Sequence, residues 1–396
     1  MTRRWELDAL RGLMLVLMTL THLPTRLSSP LGQPLGFVSA AEGFVLLSAY
    51  MAGLVYGRVA RKKGIEAMRA AFWRRALKVY ACHAAMLLFL FTVVAAAGLW
   101  MKQSAVTDLM SFYLAQPLTA LAMGLVLVYT PPLLDILPMY IVFMLVSPWL
   151  LAHALRHGWR AILAASLIAW LLAQFRLGRW VYDAAVALTG LRVPFEETGS
   201  FATFSWQLVW IAGLWMGASR TADPARPFTF ARWTVALAVL VALAGLVWRH
   251  HEGQAPFGAD ESLNLLFDKW LLGPLRLLDL AALIIVTIRF GPWLKAAIPR
   301  PRRLEALGAA SLPVFCAHLV VVLLALAFLG AVPEAHAWWV DAALLIGCFS
   351  ALYAVAKVAL TLKRPHGLRP GFAASVAAAP QGATQSPTAT AGSPPR

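Results

Sequence analysis

The feature that most constrains this chain is a series of apolar runs, each about twenty residues long, the length that an α-helix needs to cross a membrane. Hydrophobic residues fill 60% of the 396 positions and charged residues only 13%, whereas soluble domains carry about 25% charged residues. These proportions exclude a soluble enzyme and predict an all-α polytopic membrane protein. Ten segments have roughly the required length, at residues 7–27, 36–57, 77–100, 133–155, 160–176, 201–218, 230–248, 270–290, 309–330 and 338–360.

The distribution of Lys and Arg predicts how these helices are oriented. If the N-terminus is cytoplasmic, ten crossings place 24 of the 34 Lys and Arg residues on the cytoplasmic side, as the positive-inside rule requires. The apolar stretch 118–129 is short for a span, and we interpret it as an interfacial or re-entrant piece. An eleventh span there is the alternative, but it would invert every later loop, and the Lys and Arg residues would no longer be concentrated on the cytoplasmic side. We therefore predict a bundle of about ten transmembrane helices with both termini cytoplasmic.

The net charge of +16 is explained by the same excess of Lys and Arg in cytoplasmic loops. The basic residues alternate with spans and form no nucleic-acid-binding motif, so we expect no nucleic-acid partner. The cysteines, Cys82, Cys316 and Cys348, form no Cys-x-x-Cys pair, and the chain has no His-Glu-x-x-His motif. We therefore expect no metal site and no bound cofactor.

The chain divides into two parts. Residues 1–364 form the predicted transmembrane domain, whose first helix does not fit a cleaved signal peptide because it carries charges and lacks a small-residue cleavage site. Residues 365–396 are rich in Pro, Ala, Ser and Thr. Such a composition cannot bury enough apolar surface to offset chain entropy, so we predict a disordered cytoplasmic tail.

Charges inside the predicted helices need an explanation, because one at the bilayer centre costs about 2.5–3.5 kcal/mol even on lenient scales. In the first helix, Arg11 and His22 are eleven residues apart, which returns to within about 20° of the same face and separates them by about 16 Å along the axis. Asp8 lies three residues before Arg11 and can pair with it. One helix face thus carries a cation near the cytoplasm and an imidazole near the far side.

Glu42, in the second predicted helix, lies at a depth that matches His22. Counted from the outer ends of their helices, His22 is about 7–8 Å deep and Glu42 about 9 Å deep. A carboxylate there can fix the tautomer of the imidazole and raise its basicity, so that His22 acts as a general base. A simple structural pair between the two side chains is the alternative.

Two further polar groups lie in late helices. Arg276 and Asp279 are three residues apart, so they can pair with each other, or Arg276 can hold an oxyanion or a substrate carboxylate. His318 lies near mid-membrane in the ninth predicted helix. We count Arg276 and His318 as candidate substrate-binding residues.

The loop 58–78 is the densest basic region of the chain and includes Arg74 and Arg75. Retention on the cytoplasmic side and contact with anionic lipids explain it by themselves. Beside Arg11, the same loop would also suit the phosphates of a cytosolic acyl-CoA. The sequence has no glycine-rich nucleotide motif, which leaves nucleotide hydrolysis and dinucleotide redox chemistry without support.

Several motifs resemble those of known families. Residues 5–12, Trp-Glu-Leu-Asp-Ala-Leu-Arg-Gly, followed by His22, are similar to the Asp-x-x-Arg-Gly and Arg-x10-His signature of the acyltransferase-3 superfamily. Gly36-Phe37 with residues 40–48, Ala-Ala-Glu-Gly-Phe-Val-Leu-Leu-Ser, resembles more narrowly the OpgC family. The remaining matches are Arg75-Ala76, Tyr80, His83, Ser311, Phe315 and His318. The likeness covers roughly residues 4–360, with Ala49 standing where that family usually has glycine.

The resemblance implies a multi-pass protein of the bacterial inner membrane that modifies osmoregulated periplasmic glucans. It implies O-acyl transfer, typically of succinyl, from a cytosolic donor such as succinyl-CoA to glucan hydroxyls. Carried over residue by residue, His22 resembles the catalytic base, Glu42 its acidic companion and Arg11 the donor-side cation. Arg276 is then a candidate for holding a dicarboxylic acyl group. The expected partners are acyl-CoA, the periplasmic glucan and membrane lipids.

Two other classes of function remain open from the sequence. A transporter or flippase of a saccharide or lipid-linked glycan would use the buried charges as a translocation path, without covalent acyl transfer. A structural membrane partner of a separate glucan-modifying enzyme would need no chemistry of its own.

Overall fold

The computed structural model describes residues 4–31, 33–222 and 228–362. These residues are mostly helical and contain no strand, only an isolated β-bridge between Leu35 and Val38. The predicted all-α fold is therefore confirmed. The predicted tail 365–396 lies outside the described residues.

The α-helices of the described residues vary from four to 25 residues in length. In chain order they are α1 (Trp5–His22), α2 (Ser28–Leu31), α3 (Ala40–Lys63), α4 (Ile65–Phe89), α5 (Ala95–Trp100), α6 (Ser104–Leu109), α7 (Ser111–Ala115), α8 (Pro117–Leu125), α9 (Ile136–His157), α10 (Arg160–Gln174), α11 (Leu177–Thr189), α12 (Thr203–Ala222), α13 (Arg232–Glu252), α14 (Glu261–Asn264), α15 (Pro274–Ala297), α16 (Arg302–Ala309), α17 (Ser311–Leu329) and α18 (Trp338–Leu362).

Seven helices of the described part are long and apolar enough to cross a membrane: α3, α4 joined to α5, α9, α13, α15, α17 and α18. A π-helical segment, Leu90–Val94, joins α4 to α5 into one helix of 36 residues. These helices match seven of the ten predicted segments. A helix satisfies its own backbone hydrogen bonds, which lipid cannot do, so each can lie in the hydrocarbon.

The other three predicted segments also form helices, but not simple spans. Segment 7–27 becomes α1, whose 18 residues include the charged Glu6, Asp8 and Arg11. Segment 201–218 becomes α12, which is not among the seven. Segment 160–176 becomes α10, only 15 residues long, and α11 follows it at an angle of 81°. The count rises to eight if that bent pair is one crossing.

The short apolar stretch 118–129 forms α8, a helix of nine residues. Nine residues rise only about 14 Å, less than half of the hydrocarbon thickness of about 30 Å. Two more short helices, α6 and α7, precede it directly. The stretch therefore does not form a straight eleventh span.

Helices α3 and α12 pack along lines of small residues. Gly53 and Gly57 in α3, and Gly213 and Gly217 in α12, are each four residues apart, the spacing that lets two membrane helices approach closely. A Cβ added at Gly213 would lie 2.8 Å from the Cβ of Ala49. Glycine at 213 therefore leaves room for the Ala49 methyl group, and the alanine is compatible with this crossing.

Helices α1 and α16 make a second close contact, between Gly12 and Gly308. A Cβ added at Gly308 would lie 2.7 Å from the amide nitrogen of Gly12 and 2.8 Å from the carbonyl carbon of Asp8. These neighbouring atoms belong to the backbone of α1, which cannot move aside as the end of a flexible side chain can. The glycine of the Arg11-Gly12 pair thus has a packing role beside the arginine.

We expect Gly308→Ala to lower the melting temperature of the detergent-purified protein, because overpacking typically costs about 1–3 kcal/mol. The matched control is Gly347→Ala in α18, where an added Cβ meets no atom within 4 Å. There alanine should be neutral or stabilising, since it favours a helix by about 1 kcal/mol over glycine. Equal melting temperatures for the two variants would contradict the contact between α1 and α16.

Candidate functional site

Helices α1 and α17 lie side by side and bring together two pairs of predicted residues. At one end, Nη2 of Arg11 donates a hydrogen bond to Oγ of Ser311. At the other, Nδ1 of His22 lies 3.4 Å from Nε2 of His318. The earlier residue of α1 contacts the earlier residue of α17, and the later residue contacts the later one, so the two helices run in the same direction. We call these the Arg11 end and the His22 end.

The contact between His22 and His318 fixes which ring nitrogen carries hydrogen. Nδ1 of His318 lies 2.7 Å from the carbonyl oxygen of Phe315, and a carbonyl only accepts, so this nitrogen carries the hydrogen. In a neutral ring, Nε2 of His318 is then an acceptor. Nδ1 of His22 is placed to donate to it, at the outer limit of hydrogen-bond distance. Nε2 of His22 is left with a free lone pair, as a general base requires.

The two histidines differ in exposure. His318 is fully buried, and its ring stacks on that of His22 with 5.7 Å between centroids. His22 is only partly buried, and its neighbour Thr21 lines a large cavity. The buried ring therefore positions the accessible one.

Glu42 does not contact His22. One of its carboxylate oxygens accepts from Nε of Arg276 at 2.5 Å, and the other accepts from the amide of Ser39 at 3.0 Å and from the Ser39 hydroxyl. Ser39 and Glu42 form a capping box at the start of α3, which holds the carboxylate at its own helix terminus. The predicted pairing of Glu42 with His22 is therefore wrong.

The predicted pairing of Arg276 with Asp279 is also wrong. Arg276 forms a buried ion pair with Glu42, with side-chain exposures of 3% and 0%. Oδ2 of Asp279 instead accepts from the amide of Phe37 at 3.2 Å. Asp279 thus binds the segment that leads into α3, whereas Arg276 binds the first turn of α3 itself.

A narrow cavity of about 30 Å³ lies at the Arg11 end. Its polar lining includes Arg11, Arg75, Ser48 and Ser311, and the rest is largely apolar. Arg74 is exposed, and its Nε donates to a carbonyl of its own helix at 3.3 Å. The structure thus brings Arg75 to Arg11, but it does not bring Arg74 there.

A larger cavity, of about 620 Å³, lies at the His22 end. Arg276 lines it, together with two cations that sequence reasoning missed, Arg249 and Lys269. In the predicted topology both lie outside the membrane, and nothing in their sequence spacing places them beside Arg276. Burial lowers the pKa of Lys269; the negative charges of Glu42 and Asp135 oppose this shift, and the positive charge of Arg276 adds to it.

Neither cavity contains a metal-binding constellation. Among residues 4–31, 33–222 and 228–362, no group of three or more His, Cys, Asp or Glu side chains is placed to hold a metal ion. The His22 end brings together two imidazoles, a buried ion pair and additional cations.

The buried ion pair should be essential for stability. We expect Glu42→Gln to lower the melting temperature strongly, because breaking a buried pair typically costs about 3–5 kcal/mol. Glu66→Gln is the control, since Glu66 pairs with Arg69 but is 83% exposed, and such pairs contribute about 0–1 kcal/mol. The double variant Glu42→Gln with Arg276→Gln should regain part of the loss. Equal effects of the two single variants would refute the role of the buried pair.

Comparison with known proteins gives one result. Neither a curated protein nor a solved structure matches the chain. Residues 3–364 match the model of the family described as OpgC protein. Because that match covers nearly the whole chain, this multi-pass membrane protein belongs to the OpgC family.

Proposed function

We propose that this protein is an O-acyltransferase of the bacterial inner membrane. It transfers a succinyl or related acyl group from a cytosolic acyl-CoA to hydroxyls of periplasmic glucans. Membership of the OpgC family supports the glucan as acceptor, and the likeness of residues 5–12 and His22 to the acyltransferase-3 signature supports the reaction type. The observation that carries the proposal is the contact of His22 with His318, which leaves Nε2 of His22 free as a base.

The proposed topology has ten crossings and both termini in the cytoplasm. Helices α1, α10 and α12 supply the three crossings beyond the seven long apolar helices. The excess of Lys and Arg in alternate loops supports this orientation. It places the Arg11 end toward the cytoplasm and the His22 end toward the periplasm.

In this topology the donor enters at the Arg11 end. Arg11 and Arg75 share the narrow cavity there, and guanidinium groups bind phosphates well because they offer several donors in one plane. The other cations of residues 58–78, which the structure places in the end of α3 and the start of α4, add a positive surface for the CoA phosphates and for anionic lipids; Arg74 is among them. A cavity of about 30 Å³ is too small for a pantetheine arm, so donor binding requires its walls to separate.

The proposed reaction is a direct acyl transfer. Nε2 of His22 takes the proton of a sugar hydroxyl as the hydroxyl oxygen attacks the thioester carbonyl. The carbon–sulfur bond then breaks, and the departing CoA sulfur takes the proton from His22. The products are a sugar ester and CoA thiol. His318 acts as a positioning residue, since it contacts His22 and holds its tautomer.

We expect His22→Ala to reduce glucan acylation by about 10²–10⁴-fold, the usual contribution of a general base. Glucan from a deletion strain that expresses the variant would be measured by mass spectrometry, with membrane levels of the protein checked. His157→Gln, at an exposed position in the last turn of α9, is the control. Full acylation in the His22 variant would refute the proposed base.

His318→Leu should lower kcat by about tenfold, the worth of one hydrogen bond, while the KM for acyl-CoA stays unchanged. His318→Gln should recover part of the rate, because its amide oxygen can accept from His22. A purely structural role for His318 would instead lower the amount of folded protein and give the two variants equal kcat.

The same measurements distinguish the other classes of function. A transporter or flippase would move saccharide without consuming acyl-CoA. A structural partner, once purified, would leave acyl-CoA intact in the presence of glucan.

A further inference from the structure

The wide cavity at the His22 end is lined by Lys269, a cation that the proposed base and positioning steps do not use. Within the described ranges, Lys269 forms no ion pair. Its Nζ lies instead 4.5 Å from the ring centroid of Trp270 and 5.9 Å from that of Phe201. An aromatic face attracts a cation, but it does not neutralise the charge. Lys269 therefore keeps binding capacity for a group that enters the cavity.

The two carboxylates that act electrostatically on Lys269, those of Glu42 and Asp135, are bound to other groups. Glu42 forms its ion pair with Arg276. The carboxylate of Asp135 accepts from the amide of Ser200 at 3.4 Å. Their negative charges favour the charged form of the lysine, but neither lies within ion-pair distance of it. The ammonium group is thus kept positive without being occupied.

Lys269 also lies near the proposed base. Thr21, the neighbour of His22, lines the same cavity, and Lys269 interacts electrostatically with the His22 ring. A general base must lie within about 3 Å of the hydroxyl that it deprotonates, and that oxygen attacks a carbonyl carbon about 3–3.5 Å away. The thioester carbonyl must therefore react beside His22, in the region of the cavity that Lys269 shares.

The other two cations of the cavity are already engaged. Arg276 pairs with Glu42 through Nε at 2.5 Å, and Arg249 donates from Nε to the side chain of Gln33 at 3.1 Å. A lysine carries three donors at the end of a flexible stem, so Lys269 can follow an oxygen that moves as its carbon becomes tetrahedral. Of the three cations, Lys269 is the one best placed to meet a charge that forms during the reaction.

We propose that Lys269 is a catalytic residue that stabilises the oxyanion of the acyl-transfer step, an inference that rests on the proposed function. As the sugar oxygen bonds to the carbonyl carbon, the electron pair of the carbonyl moves to its oxygen, which accepts a hydrogen bond from Nζ of Lys269. When the carbon–sulfur bond breaks, that pair re-forms the carbonyl and the proton on His22 passes to sulfur. Lys269 stays protonated throughout. A positive charge already in place needs no reorganisation at that moment.

With purified protein, succinyl-CoA and a neutral glucan, Lys269→Met should lower kcat by about 10²–10³-fold, the usual effect of removing one oxyanion donor. The KM for the donor should change little, because the charge exists only in the transition state. Lys357→Met is the matched control and should keep both constants, since Lys357 also lies near an aromatic ring, 5.4 Å from that of Tyr353, but outside the cavity. Full kcat in Lys269→Met, or a raised KM at constant kcat, would overturn the inference.

A variant within the same cavity separates a specific donor from the general positive potential of the cations. Arg249→Gln removes one positive charge from the lining but leaves Lys269 in place. It should lower kcat by less than Lys269→Met does, because the effect of a charge falls with distance from the reacting oxygen. Equal losses in the two variants would overturn the assignment of a direct hydrogen bond to Lys269.

Chemical rescue keeps the test independent of folding defects. Lys269→Cys treated with 2-bromoethylamine regains an ammonium group at the length of lysine and should recover at least tenfold in kcat. Treatment with 1-iodopropane gives a neutral chain of the same length and should recover nothing. The unmodified protein, treated alike, controls for its own cysteines. Equal recovery with both reagents would overturn the inference. Transfer that survives in Lys269→Met would refute this role alone, whereas no transfer by the unmodified protein would refute the proposed function with it.

Discussion

The buried ion pair between Glu42 and Arg276 is the interaction on which the arrangement of both cavities depends. Taking two charges out of water costs several kcal/mol each, and only close geometry and further hydrogen bonds repay that cost. Glu42 meets this demand with a contact of 2.5 Å to Arg276 and with the capping box at Ser39. The pair fixes the start of α3 against α15. It also holds the Arg276 side chain at the cavity with Nη2 unpartnered.

With Glu42 engaged in this way, His22 has an imidazole rather than a carboxylate as its partner. A carboxylate would bring a second buried charge beside the base, at a cost in desolvation. His318 orients His22 with a neutral ring, which in turn is oriented by the carbonyl of Phe315. In the proposed mechanism, the series of a carbonyl and two imidazoles would perform the orienting step that a carboxylate performs in the Ser-His-Asp triad, without adding charge.

Much of the fold could be predicted from the sequence, because the length of an apolar run is a local property set by bilayer thickness. Helical periodicity also placed Arg11 and His22 correctly on one face, and both contact α17. The prediction failed for Glu42 because equal depth does not mean that two side chains point toward each other. Ser39-x-x-Glu42 has the spacing of a capping box, and that local signal could have shown where the carboxylate is held. The grouping of Arg276, Lys269 and Arg249 at one cavity depends on tertiary packing, which no local pattern specifies.

In the proposed cross-membrane transfer, the two substrates must meet inside the bundle although they enter from opposite sides of the membrane. The packing of α1 against α16 and α17 gives a physical reason why this is possible. Gly12 lets α1 approach α16 closely, and α16 leads directly into α17, which carries Ser311 and His318. This contact sets α1 against α17 over the distance between the Arg11 and His22 ends. The histidine pair lies beside the wide polar cavity, and the narrow cavity lies at the opposite end of the same two helices. In the proposed mechanism a thin acyl-bearing arm enters the narrow side once its walls separate, whereas a sugar chain needs the wide side, so the difference in width would keep donor and acceptor on opposite approaches.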